Sequence, residues 1–286
     1  MFARRSFTNK LANQFPWLDK VASVLKSASD PVLGPNGPQR LKDTLYGTWL
    51  GHPLHPLATD LPIGFWTSSM MLDLTGHERS ADLTLKLGSI SALGAAATGF
   101  AQWHDLQEMK EPRRLGALHA TLNTTALGLY GLSWYLRSNN SRDAARTLST
   151  LGYGIAAASA WIGGDLSFRL GIGVSRIAFE EPRRKWTTVL PEADLETGKL
   201  TRVEASGVPI VLLKQDDQIL AVSATCTHVG APLEEGSIEE GCVVCPWHGS
   251  HFELATGHVI HGPATDDLRK FDVRIEDGNI QVRPAA

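Results

Sequence analysis

Cysteine is scarce in this 286-residue chain, and the three present, Cys226, Cys242 and Cys245, fall in one short segment. An odd, clustered set is no disulfide framework and points instead to metal ligation. A large charge excess is missing too: 27 Lys and Arg stand against 30 Asp and Glu, a net charge of -3. That balance argues against a nucleic-acid binder, which carries a strong basic surface. The start of the chain lacks an uninterrupted apolar run. Arg4 and Arg5 open it like a twin-arginine leader, but Lys10, Asp19, Lys20 and Lys26 break the stretch where an apolar region should follow. Residues 1–43 are therefore expected to be a basic segment with an amphipathic helix around Leu18–Leu25. That helix would lie at a membrane surface or against the protein.

From Thr44 onward it is charge that is lacking. Leu87–His104, Leu115–Leu136 and Thr147–Gly164 contain no Asp, Glu, Lys or Arg, and Thr44–Leu72 contains Asp60 alone. Each stretch approaches the ~20 residues that carry a helix across a bilayer. Their richness in Gly, Ala, Ser and Thr suits close packing of helices in lipid. A soluble four-helix bundle would show outward charges every three to four residues, and these segments do not. The expectation for 44–175 is an all-α transmembrane four-helix bundle. Lys and Arg are concentrated in the N-terminal segment, in the connection with Lys110, Arg113 and Arg114, and after Arg169. That bias places both termini in the cytoplasm.

Several ionisable residues punctuate this half. His52 and His55, each before a proline, are expected in an extended entry segment, with the helix proper starting near Pro62. His104-Asp105 ends the second crossing, His119 lies in the third, and Gly163-Gly164-Asp165 closes the fourth. Ionisable groups inside a membrane are candidates for function. Here two histidines on separate helices could ligate a haem iron or take protons from a quinone. A structural role, capping helices and bonding to one another at the interface, is equally open.

After a charged linker at 176–186 the pattern turns to short β-rich runs: Val208–Leu213, Ile219–Val222, Phe271–Ile275 and Ile280–Val282. Asp277-Gly278 reads as the hairpin turn joining the last two. The fold class is thus multidomain, with an all-β domain at 187–286 after the helical one.

Within the β domain stand Cys226-Thr227-His228 and Cys245-Pro246-Trp247-His248-Gly249-Ser250. Thiolate and neutral imidazole both ligate first-row metals. A helical Cys2His2 zinc site keeps like ligands together in sequence, whereas here each pair mixes Cys with His. One iron of a Rieske-type [2Fe–2S] cluster takes two thiolates and the other two imidazoles. The two motifs closely resemble the Rieske iron–sulfur family, and Gly262-Pro263-Ala264 is similar to its proline loop. The resemblance implies a β-sandwich base, a [2Fe–2S] cofactor bound by Cys226, His228, Cys245 and His248, and one-electron transfer through the histidine edge.

Respiratory members carry two bridging cysteines and a tyrosine near a ligand sulfur. The matching positions here are Ala231, Trp247 and Phe252, with Ser250 retained, which implies the ferredoxin-like branch and a lowered potential. Cys242 reads as a buried small hydrophobe. The helical half is similar to the DUF2231 family of membrane domains through its His52-Pro53-Leu54-His55-Pro56 start.

The expected function is membrane-anchored one-electron transfer on the cytoplasmic face, with no catalytic residues of its own. The partners would be a redox protein or a membrane quinone, with the lipid bilayer as support. Alternatives are an oxidoreductase acting on quinone or with haem in the helical half, and a redox sensor. A Rieske oxygenase is not expected, since no domain with a second, non-haem iron site follows the cluster motifs.

Overall fold

The computed structural model describes residues 7–285, so the Arg4-Arg5 start lies outside the described residues. The chain divides into two compact units, each discontinuous in sequence. One takes the chain through Pro38 and then Pro53–Ile172, and the other takes Gln39–His52 and everything from Gly173. The expected segments 1–43 and 44–175 are therefore each divided between the two units.

The first unit is helical. Helices α1 (Phe7–Gln14) and α2 (Leu18–Leu33) precede α3 (Gln39–Tyr46), which belongs to the second unit. Four long helices follow: α4 (Leu54–Leu74), α5 (Glu78–His104), α6 (Lys110–Ser138) and α7 (Arg142–Gly164). The amphipathic pattern of α2 is realised against the protein. Leu18, Ala22 and Leu33 are buried, and Asp19 accepts hydrogen bonds from Arg113 and Arg114 at the start of α6.

Helix α4 begins at Leu54 rather than near Pro62, so His55 is helical and only His52 keeps a non-helical backbone. The prolines allow this because of where they fall. Pro53 is the extended N-cap, with ψ 132, and Pro56 sits in the first turn, where amide N–H groups have no intrahelical partner.

Helices α4–α5 and α6–α7 are two copies of one hairpin, equivalent residues lying 64 apart, the separation of Asp73 from Arg137. In the first copy Ser69 Oγ donates to Ala81 O at 2.8 Å, and in the second Ser133 Oγ donates to Ala145 O at 2.7 Å. The turns match as well. His77 N donates to Leu72 O, as Ser141 N does to Leu136 O. Gly76 and Asn140 both take the left-handed conformation that such a helix end requires. Trp66 and Tyr130, equivalent positions on α4 and α6, stack with ring centroids 4.1 Å apart.

The copies differ systematically in charge. Asp73, Glu78 and Asp82 of the first hairpin correspond to Arg137, Arg142 and Arg146 of the second. All six join one ion-pair network around Asp73 and Arg137, which are 9% and 3% exposed.

Among the described residues one helix, α5, is long and apolar enough to cross a membrane by length and composition. The sequence reading expects four such helices. Polar side chains inside two of the others, Asp60 in α4 and His119 and Asn123 in α6, lower their apolar content.

Among the described residues the second unit holds three antiparallel sheets. Strands β1 (Thr187–Pro191), β10 (Asn279–Pro284) and β9 (Phe271–Glu276) form one, in that order. Strands β2 (Thr201–Ala205), β3 (Val208–Gln215) and β4 (Gln218–Ser223) form the second. The third runs β5 (Ser237–Glu239), β6 (Cys242–Val244), β7 (His251–Glu253) and β8 (Val259–His261). The expected turn is present: Asp277 and Gly278 both have positive φ between β9 and β10.

Strand β3 explains the continuous apolar run Val208–Leu213. Its alternate residues face two cores. Ile210 and Leu212 join Val203, Phe271, Ile280 and Val282 in one, while Val211 and Leu213 join Cys226, Cys245 and Phe252 in the other.

The ion-pair network yields a test of the helical unit. Asp73→Ala strands buried arginine charge and should cost about 3 kcal/mol, read as a lower melting temperature of the helical signal in detergent. Glu78→Ala, at an exposed rim position, should cost about 0.5 kcal/mol.

Candidate metal centre

Two loops of the second unit are built alike. In the first, Cys226 N donates to Ala231 O at 2.9 Å and Gly230 N donates to Cys226 O at 3.0 Å. In the second, Cys245 N donates to Ser250 O at 2.8 Å and Gly249 N donates to Cys245 O at 3.0 Å. Gly230 and Gly249 have φ of 88 and 72, a left-handed conformation that glycine takes without a Cβ clash. Each turn curls the backbone around its own sulfur. The amides of His228 and Val229 point at Cys226 Sγ, and those of Trp247 and His248 at Cys245 Sγ.

Both sulfurs are buried, with Cys226 at 0% and Cys245 at 3% exposure, and one thiol hydrogen-bonds the other. That bond pushes the Cys245 thiol down to about 7, burial opposes the shift, and the two amides assist it. Cys226 moves upward, chiefly through the same bond and then through burial. The imidazoles of His228 and His248 are half-exposed, their centroids 5.1 Å apart and their planes at 81°. Trp247 stands outside them, 55% exposed.

These donors fit a two-iron cluster. Among the described residues no three or more of His, Cys, Asp and Glu converge as they would on one ion. A mononuclear zinc site gathers its four ligands around a single point. Here the donors come as a buried sulfur pair, with amide N–H groups aimed at it, and an outer imidazole pair. A Rieske-type cluster takes its ligands in those two pairs.

The cover of the site is tied in by hydrogen bonds. Ala264 N donates to Ser250 Oγ at 3.0 Å, and Thr227 Oγ1 donates to Asp266 O at 2.8 Å. Ala231 and Phe252, at the positions where respiratory members carry cysteine and tyrosine, are both fully buried. Cys242 is buried on β6, its thiol raised by desolvation and then by Glu253 and Glu240.

The sequence reading missed a strap from α3. Asp43 accepts from His261 Nδ1 and from Gly262 N, both at 2.9 Å. Thr48 Oγ1 donates to Ala264 O at 3.4 Å. The 262–264 loop is thus held from one side by Ser250 and from the other by residues far upstream. No local motif announces such a partner.

The histidines of the helical half separate. His55 and His119 come together, with ring centroids 6.4 Å apart. His104 instead bonds Asp30 of α2 at 2.9 Å. His52 falls in the other unit.

Residues 185–272 match the model of the Rieske [2Fe-2S] domain. The ferredoxin CarAc of Metapseudomonas resinovorans is 34% identical over 98 residues, which is 34% of this chain and 92% of that protein. The chain belongs to the Rieske family. The 3-phenylpropionate/cinnamic acid dioxygenase ferredoxin subunit of Escherichia coli strain K12 is 36% identical over 91 residues, 32% of this chain and 85% of that subunit. Apoptosis-inducing factor 3 of Mus musculus is 38% identical over 96 residues, 34% of this chain, and the chain spans 16% of its length. Upstream, residues 51–176 match the model of a predicted membrane protein, DUF2231. The Rieske domain binds a [2Fe-2S] cluster.

The strap predicts a specific defect. Asp43→Ala leaves the Gly262 amide and His261 Nδ1–H without their acceptor, a loss of about 1–3 kcal/mol. Iron should then be lost to a chelator faster than from the wild-type chain, while helical content stays unchanged.

Proposed function

We propose that this protein is a membrane-anchored one-electron carrier in which Cys226 and Cys245 hold the inner iron of the cluster and His228 and His248 the outer one. The observation that carries the reading is the pairing of buried, amide-lined sulfurs with half-exposed imidazoles. A [2Fe–2S] cluster bound there supplies one-electron redox chemistry. The amides of His228, Val229, Trp247 and His248 stabilise negative charge on the two sulfurs, and the imidazole pair offers an edge to a partner. The relatives named as a ferredoxin and a dioxygenase ferredoxin subunit support a redox protein as that partner.

The helical unit would be the anchor, with α4 to α7 as four crossings and both termini cytoplasmic. The match to a predicted membrane protein supports this. So do exposed apolar side chains along α4 and α5, such as Leu61, Met71, Ile90 and Leu93. A membrane quinone is a further partner this arrangement would suit.

Protein purified anaerobically from an iron-replete host should contain iron and acid-labile sulfide in equal amounts. Cys226→Ser or Cys245→Ser should abolish both, and stoichiometric zinc without sulfide would refute the ligand assignment. A reporter fused after Ala286 that works only in the periplasm should stay silent.

Together with Ala231 and Trp247, Phe252 would keep the potential low. With no hydroxyl at that position to bond a ligand sulfur, the reduced state lacks one stabilising contact, and the midpoint should lie nearer about -150 mV than +300 mV. Phe252→Tyr should raise it, and a wild-type midpoint above about +200 mV would contradict the reading.

A further inference from the structure

The two hairpins of the helical unit place one imidazole each at equivalent positions. His55 Nδ1 donates to Ala95 O at 2.9 Å, a separation of 40 residues. His119 Nδ1 donates to Ser159 O at 2.8 Å, again 40 residues on. A carbonyl can only accept, so both rings carry their proton on Nδ1 and keep the lone pair on Nε2. Metal-ligating histidines are held in this manner, one ring nitrogen donating to a fixed acceptor and the other facing the metal.

Space for each ring is provided in the same symmetric way. A Cβ on Gly99 would lie 2.7 Å from His55 Cε1, and one on Gly163 would lie 3.1 Å from His119 Cε1. Glycine at these two equivalent positions of α5 and α7 lets both imidazoles pack flush against the helix that bonds them.

The spacing of the pair identifies what it fits. The ring centroids are 6.4 Å apart, with planes at 89°. Two imidazoles bound through Nε2 on opposite sides of one first-row metal, at about 2.0–2.1 Å each, have centroids roughly 6 Å apart, whereas tetrahedral or adjacent ligands bring them closer. Among the described residues no third His, Cys, Asp or Glu joins them, so an ion relying on protein donors would be under-coordinated. A metal that brings its own equatorial ligands needs two axial imidazoles and nothing more. Helical bundles hold such cofactors between facing helices.

We propose that His55 and His119 are the axial ligands of a haem iron bound between the two hairpins. Asn123 Nδ2, which donates to His119 Nε2 at 3.0 Å, is displaced when iron takes that lone pair. His104 and His52 take no part. The proposal is independent of cluster ligation by the β unit, and the two fail separately.

The test is the full chain purified in detergent from a haem-replete host. Wild type should carry about one tetrapyrrole per chain, with a Soret band and the low-spin spectrum of two nitrogen ligands. The perpendicular rings should give a strongly anisotropic low-spin EPR signal, separate from that of the cluster. His55→Ala and His119→Ala should each lose the Soret band while keeping cluster absorption and the wild-type elution volume, and His104→Ala should keep both. His55→Met, which can still ligate, should retain haem with a shifted spectrum, guarding against simple misfolding of the alanine variant. Wild-type protein without tetrapyrrole, quinone extracted in its place, or haem retained in both alanine variants would overturn the proposal.

Discussion

Bringing two buried sulfurs into hydrogen-bonding contact is the constraint on which the β unit depends. Charge on sulfur is disfavoured by burial, so the fold must supply compensating dipoles before a thiolate can exist there. It does so twice with one device, a glycine-closed turn that aims two amides at the cysteine it follows. Strand β3 then anchors the arrangement, since its one face packs against the sulfur-bearing loops and its other face against the second core. The cluster loops are in this sense an outgrowth of the sandwich core, sharing its rigidity through Val211 and Leu213.

How much of this was legible in sequence depended on whether the signal was local. Cys226-Thr227-His228 and Cys245-Pro246-Trp247-His248 mark the proposed donor set within two short stretches, because a Rieske-type cluster takes thiolates and imidazoles in pairs. The hairpin at Asp277-Gly278 was equally readable, since few residues tolerate its backbone angles. Strands β1, β2, β5, β7 and β8 escaped notice. They are short, and their alternation is too brief to separate from loop sequence.

Contacts distant in sequence were invisible for a different reason. Asp43 reads as one more acid in a polar helix, and its acceptor role at Gly262 exists only once the chain has folded back. The entry to α4 was misjudged because residues before proline disfavour helix, a rule that gives way in a first turn. The duplicated hairpin left a trace in Leu54-His55 and Leu118-His119, and in Gly88 and Gly99 against Gly152 and Gly163. That periodicity is longer than any secondary-structure window.

The charge pattern of the two hairpins bears on how such a unit could arise. Three acids in one copy answer three arginines in the other at equivalent positions. Two copies of the first hairpin would bring six carboxylates to one place, and two copies of the second six guanidinium groups. Neither half can therefore pair with its own kind, and the two hairpins form an ordered couple. The charges thus admit only unlike hairpins as neighbours, which fixes which face of each hairpin meets the other.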